Sequence, residues 1–219
     1  MRPSIDPRDM TGLVLAGGQG TRMGGIDKGL ELFQGTPLAL HALRRLQPQV
    51  GRTLVNANRH LDTYQTFGAP VCPDAQADFA GPLAGFLAGM EHCRTAWLLT
   101  VPCDTPLFPV DLAQRLAHAA CREGADIAMA AARDYSDPQH TTLRPQPVFC
   151  LLNVRLKDSL AHFIATGGRK VGAWTAQHTC VRVPFDLPSD ASEAFFNANT
   201  LEELRQLEIT ARHGNFGEK

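Results

Sequence analysis

Short apolar runs alternate along the chain with longer stretches whose apolar positions recur at three- and four-residue intervals. Continuous apolar runs bounded by polar turns are typical of strands buried on both faces, whereas the wider spacing is typical of amphipathic helices. The runs predict strands over residues 12–16, 53–56, 69–72, 96–101, 126–131, 147–152 and 180–185.

Helical spacing follows most of these runs. It predicts helices over residues 83–93, 109–122, 154–165 and 200–212. Thr200 and Glu203 have the spacing of a capping box, in which each side chain bonds the backbone amide of the other residue. A further helix is predicted after the first strand, with Thr36 as its N-cap and Pro37 in its first position.

This alternation of strands and helices predicts a mostly parallel sheet with helices on both faces. We therefore expect a three-layer α/β/α fold of the Rossmann-like type, in which ligands bind outside the carboxyl ends of the strands. A chain of 219 residues suits one such domain. The polar segment 133–146 predicts a loop or hairpin that faces substrate, and residues 213–219 predict a flexible tail.

Charge and cysteine content mainly exclude some classes of partner and site. The formal net charge is -1, the isoelectric point is about 6.7, and lysine and arginine form no cluster. These values argue against nucleic acid as a partner and favour small molecules or other proteins. The six cysteines include no CxxC pair, and no segment has signal-peptide or membrane-span character, which predicts a cytoplasmic protein with no membrane partner.

The most informative stretch is LAGGQGTRMGGIDKGL, residues 15–30, which holds six glycines after the first predicted strand. It departs from the GxGxxG dinucleotide fingerprint because Met23 stands where the third glycine belongs. It departs from the GxxxxGK[ST] loop because Ile26 stands where lysine belongs. Its glycines still let backbone N–H groups approach an anion, and Arg22 and Lys28 add positive charge, so the loop predicts phosphate binding.

A second signal is Asp104, which follows the strand predicted over residues 96–101. A carboxylate at the end of a central strand suits Mg²⁺, which takes few protein oxygens and completes its shell with water and substrate phosphates. The alternative is a turn-forming aspartate ahead of Pro106. The glycine loop on a neighbouring strand favours the metal site.

Together these motifs resemble a known family. LAGGxxxRMGGxDKGL after one strand and PCDTP after a later one look like the nucleotidyltransferases, and in particular the molybdenum cofactor guanylyltransferase family. The motifs LVNANRH, CPDA, GPLAG, PVFCLL and FNANT agree as well, and they begin in order at Leu54, Cys72, Gly81, Pro147 and Phe196. They span nearly the whole chain.

The resemblance implies transfer of GMP from GTP to molybdopterin, which yields molybdopterin guanine dinucleotide and pyrophosphate. It implies a nucleotide-binding part up to about residue 105 and a molybdopterin-binding part over about 106–212. Nucleotide contacts are implied for Leu15, Ala16, Gly17, Gly18, Lys28, Asn56 and Asp74, and contacts with both GTP and Mg²⁺ for Asp104. The double glycine Gly17–Gly18 favours guanine over cytosine.

The chemistry of such a transfer needs no strong general base, because a phosphate monoester with a second pKa of about 6 is already largely dianionic at neutral pH. The obstacle is repulsion between two anions. Mg²⁺ on Asp104, with Arg22, Lys28 and the loop amides, would neutralise that charge, and these three side chains are the catalytic candidates.

Selection of the base and the ribose is assigned to Asn56, Asp74 and the Gly81–Gly85 segment. An ionised Asp74 can accept from both the N1–H and the N2 amino group of guanine. The alternative for Asp74 is a turn residue after Pro73.

Four residues are candidates for the second substrate. Asn197 and Asn199 lie two apart, so in an extended segment they face the same side and can order the metal or the pterin. The alternative is that Asn199 only ends a strand before Thr200. Arg169 and Lys170 can receive the pterin phosphate, or they can begin a solvated helix.

The roles of three residues stay open. His60 lacks metal-ligand spacing and suits the surface or a cap. Gln146 stands where relatives often carry histidine, which puts a histidine role there in doubt. Asp27 either orients Lys28 or is solvated.

Other functions remain possible from the residues alone. They are cytidylyl transfer to molybdopterin or transfer to another phosphorylated acceptor, a non-catalytic GTP-binding protein, and, more remotely, a dehydrogenase. The retained Asp104 argues against the non-catalytic protein. The resemblance also implies contact with other cofactor-assembly proteins or recipient molybdoenzymes, and we expect a monomer.

Overall fold

The computed structural model describes residues 4–18, 27–75, 81–133, 142–187, 189–191, 193–198 and 200–214, with 201 and 211–214 described by their backbone. In these residues the strands are β1 Met10–Leu15, β2 Leu32–Phe33, β3 Thr36–Pro37, β4 Arg52–Asn56, β5 Val71–Cys72, β6 Trp97–Pro102, β7 Ile127–Arg133, β8 Leu143–Asn153 and β9 Cys180–Phe185. The α-helices are α1 Leu38–Leu46, α2 Leu61–Gln65, α3 Pro82–His92, α4 Leu112–Glu123, α5 Lys157–Ala165, α6 Val171–Thr175 and α7 Leu201–Gly214. Short 3₁₀ turns cover Pro7–Asp9, Lys28–Leu30, Gln47–Gln49 and Val154–Leu156.

One seven-stranded sheet has the order β5–β4–β1–β6–β8–β7–β9. The strands β5, β4, β1 and β6 run parallel, as do β7 and β9, whereas β8 is antiparallel to both of its neighbours. Leu15 is paired with Asn56 on one side and with Pro102 on the other. The strands β1, β4 and β6 therefore end at one level, where the residues that follow them meet.

Helices cover both faces of this sheet. Val14 lies in a core cluster with Leu43 of α1 and Leu116 of α4, and its neighbour Leu13 lies in a second cluster with Phe86 of α3. Successive strand residues point to opposite faces, so burial of both residues explains why the run over residues 12–16 is continuously apolar. The predicted three-layer, mostly parallel α/β/α fold is confirmed.

The helix predicted at the C-terminal end begins as expected. The backbone N–H of Glu203 donates to Thr200 Oγ1 at 3.1 Å, and the backbone N–H of Thr200 donates to Glu203 Oε2 at 3.0 Å, which confirms the capping box. Helix α7 packs through Leu204 and Leu207 on Phe33 of β2. In the described part of the chain, no helix is long and apolar enough to cross a membrane.

The helix start predicted at Thr36 is wrong. Thr36 pairs with Phe33 in the β2–β3 hairpin, and α1 begins at Leu38 with no side-chain bond at its N-cap. The two residues between the strands, Gln34 and Gly35, both have positive φ, of 50° and 75°. That backbone is the twist a two-residue hairpin turn needs, and it places the threonine in a strand instead of a cap.

The polar segment 133–146 belongs to a hairpin, one of its two predicted forms. β7 and β8 are antiparallel, and Leu143 pairs with Arg133, so residues 143–146 are strand and not loop. Gln146 lies within β8 and is partly buried. Residues 134–141, which connect the two strands in sequence, lie outside the described residues.

Candidate functional site

The first predicted nucleotide residues meet at the carboxyl ends of adjacent strands. The backbone N–H of Ala16 donates to the carbonyl of Asn56 at 2.8 Å, and the backbone N–H of Cys103 donates to the carbonyl of Leu15 at 3.0 Å. These bonds continue the strand pairing past the end of β1. The start of the glycine loop therefore lies between the end of β4 and the segment that leads to Asp104.

Asn56 is the last residue of β4 and is 2% exposed. Its Nδ2 donates to the carbonyl of Cys72 at 2.9 Å and to Asp74 Oδ1 at 2.8 Å. Both amide protons are therefore used within the protein, one on the end of β5 and one on a carboxylate. Asn56, predicted to contact nucleotide, first of all orients Asp74.

Asn58, which lies in the LVNANRH motif and is not among the predicted site residues, joins the same network. Its Nδ2 donates to Asp74 Oδ2 at 2.7 Å and to the carbonyl of Gly17 at 3.2 Å, and its Oδ1 accepts from the backbone N–H of Asp74 at 2.8 Å. The signal was present in the sequence, because an asparagine two residues beyond Asn56 follows the same strand. Each oxygen of Asp74 thus accepts one amide hydrogen bond and keeps further lone pairs for a ligand.

Two predicted glycines make room for this network. A Cβ on Gly17 would lie 2.8 Å from Asn58 Nδ2 and 2.9 Å from Asn56 Oδ1. A Cβ on Gly85 would lie 2.6 Å from Asn56 Oδ1 and 2.4 Å from Leu15 Cδ2. Gly85 lies on α3, so the absence of its side chain lets this helix approach the end of β4. Close backbone approach is the physical reason for glycine at both positions.

Lys28 and Asp104 form the charged part of the site. Lys28 Nζ lies 3.5 Å from Asp104 Oδ2, and the side chains are 23% and 19% exposed. Burial raises the pKa of Asp104 above its usual value, while the Lys28 ammonium lowers the same pKa by a smaller amount. The carboxylate therefore sits in a setting where a further positive charge would stabilise its ionised form.

Asp27 is buried and not solvated. At 8% exposure it accepts from the Tyr64 hydroxyl at 2.7 Å and from the backbone N–H of Gly29 at 3.2 Å, both on Oδ1. It is the N-cap of the turn Lys28–Leu30. Of the two earlier alternatives, the structure favours orientation of Lys28, because Asp27 anchors the turn that carries that lysine.

Asn197, which lies shortly before the C-terminal helix α7, is held beside the residues that follow β6. The Thr105 hydroxyl donates to Asn197 Oδ1, and the backbone N–H of Ala198 donates to the carbonyl of Asp104 at 3.0 Å. Thr105 is fully buried, so its hydroxyl needs such a partner. These bonds hold the segment that precedes α7 against the strand end that carries Asp104.

Several predicted residues are not drawn into this network. Gly81 is exposed at the start of α3 with φ of 62°. Arg169 donates to the carbonyls of Ile164 and Gly168 at the end of α5, and the exposed Lys170 is the N-cap of α6. His60 is exposed and precedes α2, in agreement with a surface position.

Two candidates lie outside the described residues. They are Arg22, within residues 19–26, and Asn199. Gly18 is described, and its carbonyl accepts from Arg59 Nη2 at 3.2 Å.

The fit to a metal ion rests on Asp104. Within the described segments, no group of three or more His, Cys, Asp or Glu side chains could hold an ion by itself. A single partly buried carboxylate fits a divalent cation that keeps water and takes its remaining ligands from a bound phosphate. The donor set therefore suits a cation that arrives with a substrate.

The arrangement divides into two chemical regions at one edge of the sheet. The Asn56–Asn58–Asp74 network offers a fixed acceptor for a ligand with paired N–H donors. Lys28 and Asp104 offer a cation and a partly buried carboxylate, which suit phosphate groups and a divalent cation. Together with the glycine loop, these regions suit a nucleoside triphosphate.

We predict that Tyr64→Phe lowers the free energy of unfolding by about 1–3 kcal/mol, because it removes a hydrogen bond from the buried Asp27 carboxylate while keeping the aromatic packing on Phe67. Urea denaturation measures the change. The control is Thr66→Val, which removes an exposed hydroxyl that donates to Thr63. Equal stability of Tyr64→Phe and the wild type would show that the hydroxyl is not needed to hold Asp27.

Comparison with known proteins agrees with the fold. The MobA-like NTP transferase domain family matches residues 12–181. A molybdenum cofactor guanylyltransferase from Acidovorax sp. (strain JS42) is 64% identical over 93% of this chain and 97% of the relative. One with the same name from Albidiferax ferrireducens is 60% identical over 93% of this chain and 98% of the relative.

Solved structures share the fold at low identity. A molybdopterin-guanine dinucleotide biosynthesis protein A from Archaeoglobus fulgidus has a TM-score of 0.73 at 21% identity, covering 93% of this chain and 100% of that one. A 4-diphosphocytidyl-2C-methyl-D-erythritol synthase from Anaerococcus prevotii has a TM-score of 0.71 at 11% identity, covering 95% and 98%. On the family match and the identity of these relatives over nearly its full length, the chain belongs to the MobA-like NTP transferase family and is a nucleotidyltransferase.

Proposed function

We propose that the protein transfers the guanylyl group of GTP to the phosphate of molybdopterin, with or without bound molybdenum. The products are molybdopterin guanine dinucleotide and pyrophosphate. The observation that carries this proposal is the placement of the Lys28–Asp104 pair beside the Asp74 network at one sheet edge. The names of the relatives that are 60–64% identical support it.

The proposed reaction is an in-line displacement at the α-phosphorus of GTP. An oxygen of the molybdopterin phosphate forms the new P–O bond, and the bond to the β-phosphate oxygen breaks, so pyrophosphate leaves with the electron pair. The nucleophile is largely dianionic at neutral pH because its second pKa is about 6, so the protein needs no strong general base. Its task is to bring two anions together and hold them in line.

Lys28 supplies positive charge for this task. Its ammonium lies 3.5 Å from Asp104, so a phosphate oxygen bound near that carboxylate is within reach of the lysine. Asp27 and Tyr64 hold the turn that carries Lys28, so the charge is positioned before substrate binds. Arg22 is proposed as a second cation on the glycine loop.

We propose Mg²⁺ as the divalent cation, with Asp104 as its protein ligand. When bound, Mg²⁺ would neutralise phosphate charge and stabilise the pyrophosphate leaving group. Partial burial of Asp104 supports this assignment, because a raised carboxyl pKa marks a site where the ionised form gains from a bound cation.

Asp74 is the proposed acceptor for the N1–H and N2 amino groups of guanine. Asn56 and Asn58 hold its two oxygens, one each, so the carboxylate presents a fixed edge. The main chain of Leu15, Ala16, Gly17 and Gly18 would line the nucleotide, with Gly81 and Gly85 at the start of α3. Gly85 supports this role because its missing side chain brings α3 against Asn56.

The part of the chain over about residues 106–212 is proposed to bind molybdopterin. Asn197 supports this division, since Thr105 holds it beside the strand end that carries Asp104. Asn199 is proposed to act with it. The free cysteines suit the reducing cytoplasm, where the enzyme would act as a monomer and exchange its cofactor with assembly proteins or recipient molybdoenzymes.

The test of this function is pyrophosphate release from purified protein, molybdopterin and Mg²⁺ with GTP, CTP, ATP or UTP in turn. We predict release at least about ten-fold faster with GTP than with any other nucleotide, because acceptors placed for guanine are left unpaired by another base. Faster release with CTP would indicate cytidylyl transfer. GTP binding without any release would indicate a non-catalytic protein.

We predict that Asp104→Asn lowers the rate of pyrophosphate release at least about 100-fold through loss of the metal ligand. The folded-state pKa of Asp104 is raised, so its ionised form opposes folding, and stability is lost as the pH rises through that pKa. At pH 7 without metal, the variant should therefore melt no lower than the wild type.

The matched control for this variant is Asp158→Asn, on the exposed first turn of α5, which should keep full activity. Wild-type turnover by Asp104→Asn would exclude the metal role. A large fall in its melting temperature would contradict the electrostatic argument for this carboxylate.

A further inference from the structure

Asn58 connects three segments of the site by hydrogen bonds. From the turn after β4, it contacts the glycine loop at Gly17 and the segment after β5 at Asp74. Its two amide protons and its carbonyl oxygen all have partners at 2.7–3.2 Å. An amide used on three sides is held in one orientation, and it holds its partners in turn.

Asn58 holds Asp74 by two hydrogen bonds, one to its backbone and one to its carboxylate. Asn58 Oδ1 accepts from the backbone N–H of Asp74, while Nδ2 donates to its carboxylate. The second carboxylate oxygen is held by Asn56, which is buried. Rotation of the carboxylate would break at least one of these bonds, so the direction of its remaining lone pairs is set.

The contact with Gly17 extends this control to the glycine loop. In a trans peptide the N–H group points away from the carbonyl of the same unit, so the bond to the Gly17 carbonyl turns the Gly18 N–H away from Asn58. Arg59, the next residue, holds the Gly18 carbonyl at 3.2 Å. Two successive loop carbonyls are therefore bound by the turn that carries Asn58.

We infer that Asn58 is a positioning residue that sets the discrimination of the site among purine nucleotides. It acts by aiming the two oxygens of Asp74 at two neighbouring N–H donors on one base edge. This inference rests on the proposed role of Asp74. A base with both donors gains two bonds to a fixed carboxylate, whereas a base with one donor gains one bond, so the difference depends on the carboxylate being held.

The test compares equilibrium binding of GTP and of inosine triphosphate, which lacks the 2-amino group, in the presence of Mg²⁺ and without molybdopterin. We predict that the wild type binds GTP roughly ten-fold or more tightly than inosine triphosphate, as expected for a hydrogen bond to a charged group. In Asn58→Ala, GTP binding should weaken by a similar factor. Inosine triphosphate has only one such donor, so its binding should weaken less, and the ratio of the two dissociation constants falls towards one.

Asn153→Ala is the matched control. The side chain of Asn153 also accepts from a backbone N–H, that of Arg155. However, Asn153 ends β8 and pairs with Trp97, so it lies beside the amino-terminal end of β6 and not at the carboxyl end, where the site lies. Its variant should keep the wild-type ratio. Thermal melting of each variant reports on folding. If Asn58→Ala does not fold, Asn58→Ser serves, because a serine hydroxyl is too short to bridge Gly17 and Asp74.

The outcomes separate the inference from the proposed function. An unchanged ratio in Asn58→Ala or Asn58→Ser, with both affinities reduced alike, would show a purely structural role and overturn the inference alone. Equal affinities of the wild type for the two nucleotides would overturn base recognition by Asp74, and the inference with it. A ratio that falls in the Asn58 variant and holds in Asn153→Ala would establish the inference.

Discussion

The buried amide of Asn56 is the constraint on which the site depends. It ends β4, bonds the end of β5 through Cys72, and holds one oxygen of Asp74. Its side-chain oxygen, together with Asn58 at Gly17 and with Leu15 at Gly85, leaves no space for a side chain at either glycine. The Asn56 side chain therefore links an acceptor, a glycine in the loop and a glycine in a helix that would otherwise look unrelated.

The strands β4, β1 and β6 end at one level of the sheet, and the parts of the site meet there. The site has two regions with different chemistry, one on each side of β1. On the β4 side of β1 the network is made of neutral amides around one carboxylate, which favours directional recognition. On the β6 side lie Lys28 and Asp104, where charge and partial burial favour phosphate and a cation. A ligand that spans both sides needs a base at one end and a polyphosphate at the other, which is the shape of a nucleoside triphosphate.

Much of this plan followed from the sequence because it depends on local pattern. Buried strands read as apolar runs, and the rule that ligands bind at the carboxyl ends of parallel strands drew attention to Asn56 and Asp104. The hairpin at Gln34–Gly35 was missed, although its glycine is a local signal, because the residue after it also suits a helix cap. The burial of Asp27 could not be predicted from the local sequence, because its partner Tyr64 lies 37 positions away and only the fold brings the two residues together.

The most direct test of this account is a crystal structure of the protein with Mg²⁺ and guanosine 5′-(α,β-methylene)triphosphate, which cannot be cleaved at the reacting bond. The account predicts the N1–H and N2 amino groups of guanine at about 3 Å from the oxygens of Asp74. It also predicts the triphosphate against Lys28 and the Mg²⁺ on Asp104. A nucleotide with its base turned away from Asp74, or with its phosphates remote from Lys28 and Asp104, would contradict the account.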